Sequence, residues 1–128
     1  MSLTYSLGVQ FKTPEGTIAN TTESFTGNTG SVVDTSIPAA TTDQAENCNV
    51  VIADLVAFVL FAPLAVTVKS YKATVLKQTV DLAAGKQLVW DTNSTFTNPF
   101  TDDFDTLKIS NADLTKATIF KARFLMSN

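Results

Sequence analysis

The sequence predicts an all-β protein: an antiparallel β-sandwich, jelly-roll-like, with about eight to ten short strands and no substantial helix. Three observations carry this. Leu3, Tyr5, Leu7, Val9 and Phe11 alternate with Thr4, Ser6, Gly8, Gln10 and Lys12, the period of a strand with one wet face. Turn signals recur through the chain, at Thr13-Pro14-Glu15-Gly16, Gly27-Asn28-Thr29-Gly30, Ala83-Ala84-Gly85-Lys86 and Asn111-Ala112-Asp113. The segments between them are rich in Thr, Val, Ile and Phe, which suit a pleated, half-buried surface. At 128 residues the chain is long enough for one domain with a sizeable core. Residues 1–128 are expected to form that single domain, with 1–13 as an N-terminal arm strand.

After the first strand, the Thr-, Ser- and Asn-rich stretch from Thr17 to Ser36 admits short strands near Thr21–Phe25 and Ser31–Ile37, the second ended by Pro38. Ala39 to Asn47 is polar and reads as a loop. Cys48–Ala53 and Val56–Ala62 read as neighbouring strands joined at Ala53-Asp54-Leu55, and Leu64–Tyr71 continues beyond Pro63. Val56–Ala62 is apolar at every position, so both of its sides should be covered. A sandwich core covers only one. A helix over Asp54–Leu64 competes, but Pro63 and the β-branched content oppose it. Thr74–Leu82, Gln87–Thr92, Thr106–Ser110 and Thr118–Met126 complete the strands. Asp91–Asp105 is a long polar loop carrying Phe96, Phe100 and Phe104.

Composition narrows the function. The formal net charge is −3, whereas a free-standing nucleic-acid binder needs a basic face, so no nucleic-acid partner is expected. The chain has no histidine, which removes the commonest general base and the commonest zinc ligand together. Its single cysteine, Cys48, lies between Asn47 and Asn49 in a chain with no histidine to activate it, and reads as a small half-buried side chain. The N-terminus is interrupted by polar residues too often for a secretory leader. Val50–Val68 is apolar enough to suggest a membrane span, but Asp54 and Pro63 interrupt it, and no membrane partner is expected.

The remaining constellations are weak. Asp102-Asp103-Phe104-Asp105, with Asn93 and Asn98 nearby, clusters oxygens as calcium requires, but matches no EF-hand spacing. The simpler expectation is a solvated loop held by Asx turns. Trp90, Phe96, Phe100 and Phe104 could form a sugar-stacking platform, against the simpler expectation that they staple the loop to the sandwich edge. No Gly-rich phosphate loop or G-x-S-x-G elbow occurs. No catalytic residue, metal ligand or cofactor is therefore assigned.

The run Ala84-Gly85-Lys86-Gln87-Leu88-Val89-Trp90, followed by Asn98-Pro99-Phe100, Asp105-Thr106-Leu107-Lys108-Ile109-Ser110-Asn111-Ala112 and the alternating strand Thr118–Met126, resembles the small all-β decoration or cement proteins of tailed bacteriophage capsids. Ala40-Thr41-Thr42-Asp43-Gln44 and Leu55–Phe61 fit the same cadence, so the likeness covers roughly residues 35–126. The resemblance implies a virion protein on the capsid exterior, made in the host cytoplasm. Its implied partners are the major capsid protein and further copies of itself, as a homotrimer. A carbohydrate- or receptor-binding module of a phage tail or fibre is the alternative. The interface residues expected from the apolar pattern are Leu3, Tyr5, Leu7, Val9, Phe11, Val56, Phe58 and Leu60.

Overall fold

The computed structural model describes residues 2–128. Ten strands form three antiparallel sheets. In chain order they are β1 (Leu3–Thr13), β2 (Gly16–Gly27), β3 (Thr29–Ile37), β4 (Thr41–Val50), β5 (Leu55–Phe61), β6 (Val66–Lys72), β7 (Val75–Leu82), β8 (Leu88–Asp91), β9 (Phe104–Asn111) and β10 (Thr118–Met126). The first two make a separate hairpin. The other eight form two four-stranded sheets in the orders β3-β10-β5-β8 and β4-β9-β6-β7.

The pairing has a simple rule. β3 pairs with β10, β4 with β9, β5 with β8 and β6 with β7, so partners count inward from both ends of the chain. This is one long hairpin rolled up until β10 meets β5 and β9 meets β6, the strand order of a jelly roll. The expected all-β antiparallel sandwich is the architecture found.

The inner faces follow from alternation. Val33 and Ile37 on β3, Phe120, Ala122 and Phe124 on β10, and Phe58 and Leu60 on β5 point inward from one sheet. Cys48 and Val50 on β4, Phe104, Leu107 and Ile109 on β9, and Val66 and Val68 on β6 meet them from the other. Phe58 lies at the centre of an aromatic cluster, with ring centroids 5.4 Å from both Phe100 and Phe124 and 6.1 Å from Trp90. Such pairs add about 0.5–1.5 kcal/mol each beyond the area they bury.

Four sequence expectations change. Ala39–Asn47 is mostly strand, because β4 begins at Thr41. Its inward positions Gln44 and Glu46 are polar and close the open side of the sandwich, where the Gln44 amide donates to the Ser36 carbonyl and to Thr35 Oγ1. The strand at Thr21–Phe25 extends over all of Gly16–Gly27, since a ribbon with one wet face needs few apolar residues. Cys48–Ala53 and Val56–Ala62 are not neighbours: β4 ends at Val50, a 3₁₀ turn at Ile52–Asp54 crosses the sandwich, and β5 enters the opposite sheet. The final strand before the Asn111 turn begins at Phe104 rather than Thr106. The competing helix over Asp54–Leu64 is a strand instead, and no helix among the described residues is long and apolar enough to cross a membrane.

Candidate docking surface

The hairpin crosses the outer face of the β3-β10-β5-β8 sheet. Its turn is closed by Gly16 at φ 136°, a conformation that only glycine adopts without strain. At its root, Gly27 lies against Leu125 and the Met126 carbonyl oxygen so closely that a β-carbon would collide with both. The next residue fixes the exit: Asn28 donates its backbone N–H to Met126 O at 2.9 Å and its side-chain amide to Ser127 O at 2.9 Å. These contacts set the hairpin flat on the sheet.

Alternation decides what the hairpin buries. Leu3, Tyr5, Leu7, Val9 and Phe11 share one face of β1, and cross-strand pairing adds Phe25 opposite Tyr5 and Ala19 opposite Phe11. The near half of this face closes over the outward residues Ala57 on β5 and Leu125 on β10, with Val56 packed beside them. Phe25 and Leu125 become buried there. This is the second cover that the uniformly apolar β5 requires, and the chain supplies part of it. The far half runs past the sheet, leaving Val9 46% and Phe11 60% exposed.

The register arranges the sheet's outer face in rows. Gly30, Leu125, Ala57 and Asp91 form the row under the hairpin. Val32, Arg123, Val59 and Val89 form the next, and Asp34, Lys121 and Phe61 the third. Leu125 is fully buried whereas Ile119, on the same face of the same strand, is 50% exposed. Val32 is 56% exposed, and Val59, Phe61 and Val89 are half-buried. A floor of apolar residues, crossed by Arg123 and Lys121 on β10, therefore remains beside the hairpin.

The other sheet turns a mostly polar face outward, with Tyr71 and the exposed Leu76 paired at one end of it. Lys69 sits opposite Lys108, and Thr67 sits opposite Ser110 and Asp81. Lys69 Nζ pairs with Asp43 at 3.1 Å, and Lys108 Nζ lies 4.4 Å from the centre of the Tyr71 ring. The hydrogen bond from Lys69, together with one from Ser110, holds the Asp43 carboxyl below its usual range.

The expected interface residues fall into three groups. Leu3, Tyr5 and Leu7 pack under the hairpin, with Val56 beside them. Val9 and Phe11 are exposed on its overhang. Phe58 and Leu60 point into the inter-sheet core, 2% and 0% exposed, so they present no surface in this fold. The parity of β5 is the reason: its outward side chains are Ala57, Val59 and Phe61. Val32 and Ile119 were not singled out in sequence, because each adjoins an apolar residue of opposite parity, Val33 and Phe120, that takes the core face. Only the register places Val32 in one row with Val59, across Arg123, and Ile119 next to the row that holds Phe61.

The other sequence candidates disperse. Among the described residues no group of three or more Asp, Glu, Cys or His side chains converges. The loop carboxylates serve separate partners instead. Asp103 Oδ1 accepts from Ile52 N at 2.8 Å and Asp105 Oδ2 from Ala73 N at 3.1 Å, while Asp102 receives the Gln78 amide. The bond from Ala73 holds the Asp105 carboxyl below its usual range, and bonds from Thr115 and Lys116 do the same for Asp113. Burial pushes the Cys48 thiol up to about 12, which leaves it a neutral thiol at physiological pH. Phe100 and Phe104 are buried in the core, so of the proposed sugar platform only Phe96 is well exposed. A crevice lined by Tyr5, Leu7, Phe25, Ala57 and Val89 opens beneath the hairpin. At about 60 Å³ it is far smaller than a site for a drug-sized ligand, which takes about 300–1,000 Å³.

Compared with protein-family models, curated proteins and solved structures, the chain matches none.

Proposed function

We propose that this chain is a structural protein of a tailed-bacteriophage virion, one that decorates or cements the capsid exterior through contacts with the major capsid protein and with further copies of itself, as a homotrimer. The observation that carries this reading is the hairpin whose apolar face continues beyond the sheet it covers, leaving Val9 and Phe11 in solvent. A two-stranded ribbon is at best marginally stable in water alone. One that projects apolar side chains is suited to holding a neighbouring chain. The jelly-roll order agrees with the proposal, since capsid proteins use it, but lectins and cupins use it too, so the argument rests on the surface. The hairpin side would face the shell and the polar sheet β4-β9-β6-β7 would face water.

The mechanism is linkage. A protein that binds only the assembled shell stabilises it by about 2.7 kcal/mol per site at a hundredfold excess over Kd. The test is to add the purified chain to empty shells of the major capsid protein and to read co-sedimentation and the shell's melting temperature. Binding with a higher melting temperature is expected. A chain that stays in the supernatant and leaves the melting curve unmoved would overturn the proposal.

A further inference from the structure

We propose that the occupant of the groove beside β1 is the hairpin overhang of a second copy of this chain. The inference deepens the assembly reading and rests on it only in taking the hairpin as the docking element. The groove has two walls. One is the free edge of β1, which pairs with β2 on its other side. The other is the uncovered floor of Val32, Val59, Phe61 and Val89. Between β1 and the β8 end of the floor it opens into a solvent-facing depression of about 440 Å³, where Leu7, Val9, Val89 and Phe96 alternate with Gln10, Gln87, Asp91 and Ser94.

The edges of the molecule differ: β2, the other edge of the hairpin, carries Glu23, and β3 carries Asp34 and is bonded to β4 through Ser31 and Ser36, whereas β1 is uncharged up to Phe11. An exposed edge strand is a template for further pairing, and proteins blunt such edges with bulges, charges or brevity. β4 carries two register shifts, and Ser31 and Gln44 side chains tie it to β3. β7 pairs across a register shift and carries Lys77, and β8 has four residues. From Leu3 to Phe11, β1 has no register shift, no proline and no charge. That edge offers about 30 Å of unpaired backbone.

The occupant follows from what each copy has in excess. Every copy carries an apolar overhang, Val9 and Phe11 backed by Ala19, with no floor beneath it. Every copy also carries a floor with no cover. An overhang laid along a neighbour's β1 extends that sheet by a strand and places its apolar face on the neighbour's floor. Charge does not oppose the fit: on the floor Arg123 pairs with Asp34 at 3.7 Å, leaving Lys121, and the overhang carries one cation and one anion, Lys12 and Glu15. Each copy gives one overhang and receives one, which closes into a ring by point symmetry.

The experiment uses the full chain without capsid, so its result is separate from shell binding. Sedimentation across a concentration series should show a closed oligomer. Phe11→Asp on the overhang and Val32→Asp on the floor change exposed side chains, and each should weaken self-association roughly tenfold or more, the scale of losing a central anchor. Amide exchange along Leu3–Phe11 should quicken in both variants. Lys108→Ala, on the opposite sheet, should leave association unchanged. A monomeric wild-type chain, or an oligomer indifferent to Phe11→Asp and Val32→Asp, would overturn the inference. A monomer whose shell binding is lost with Phe11→Asp would also overturn it and assign the overhang to the capsid protein.

Discussion

The two sheets share one core, yet their outer faces obey different rules. On β4-β9-β6-β7 the outward positions include Thr67, Lys69, Tyr71, Thr106, Lys108 and Ser110: Thr67 donates to Asp81, Thr106 to Asp105, Lys69 and Ser110 to Asp43, and Lys108 lies over the Tyr71 ring. On β3-β10-β5-β8 they are Val32, Val59, Phe61, Ile119 and Leu125, interrupted by the cations Lys121 and Arg123. A strand with one wet face alternates, as β6 does. A strand that stays apolar at every position, as β5 does, has two dry faces or is waiting for one. The hairpin dries half of that face, so the difference between the sheets marks where this molecule ends by itself and where it needs company.

The largest effect expected from this contrast is at Leu125. It belongs to an outer face but is fully buried, because the hairpin lies on it. Leu125→Ala should cost about 2–5 kcal/mol in urea denaturation, the range for truncating a buried leucine. Lys108→Ala on the opposite outer face should fall within about 0.5 kcal/mol of wild type. If Leu125→Ala proved as mild as Lys108→Ala, the hairpin would be a loose appendage and the two faces would be alike.

Gly27→Val sharpens the comparison by separating the hairpin from the sandwich. The new side chain would meet Leu125 and the Met126 carbonyl, and neither can yield without moving β10 or lifting β2. Lifting the hairpin is the cheaper response, since the jelly-roll core is packed independently of it. Limited proteolysis should therefore cut the variant first between β1 and β2, near Pro14-Glu15-Gly16, and leave the remaining chain folded. Uniform loss of the whole domain would mean that hairpin and sandwich fold as one unit.

The contrast also explains what could be read in advance. β1 and β10 alternate cleanly because each has one dry and one wet face over most of its length, and the uniform β5 announced a second cover. β4 was illegible because its inward residues at the rim, Gln44 and Glu46, are polar and satisfied by hydrogen bonds rather than burial. β2 was only partly legible, since a wet ribbon needs little more than Phe25 to anchor it. Strand order lies beyond local pattern, and so did the apparent adjacency of the strands around Asp54, where the chain changes sheets. The interface residues divided for the same reason. Alternation identified the apolar face of β1, but in β5, apolar on both sides, sequence carried no parity, and Phe58 and Leu60 belong to the side facing the core.

The smallest effect is electrostatic and lies away from the hairpin. Asp43, Asp105 and Asp113 each have a carboxyl held below its usual range by hydrogen bonds, from Lys69, from the Ala73 N–H, and from the Thr115 and Lys116 N–H groups respectively. A carboxylate whose folded-state affinity for protons is depressed adds stability that is complete above its unfolded-state range, about pH 4, and is lost as the pH falls through the lower folded-state value. All three sites brace turns or the outer face of β4-β9-β6-β7, and none lies under the hairpin. The melting temperature should accordingly stay level from about pH 8 to pH 5 and decline below about pH 4. In Asp113→Asn, which keeps one acceptor oxygen for the two backbone donors, part of that acid-dependent decline should disappear while Phe25 and Leu125 stay as protected as in wild type. A hairpin that detached before the turns loosened would move the acid-sensitive element to the apolar side and overturn this expectation.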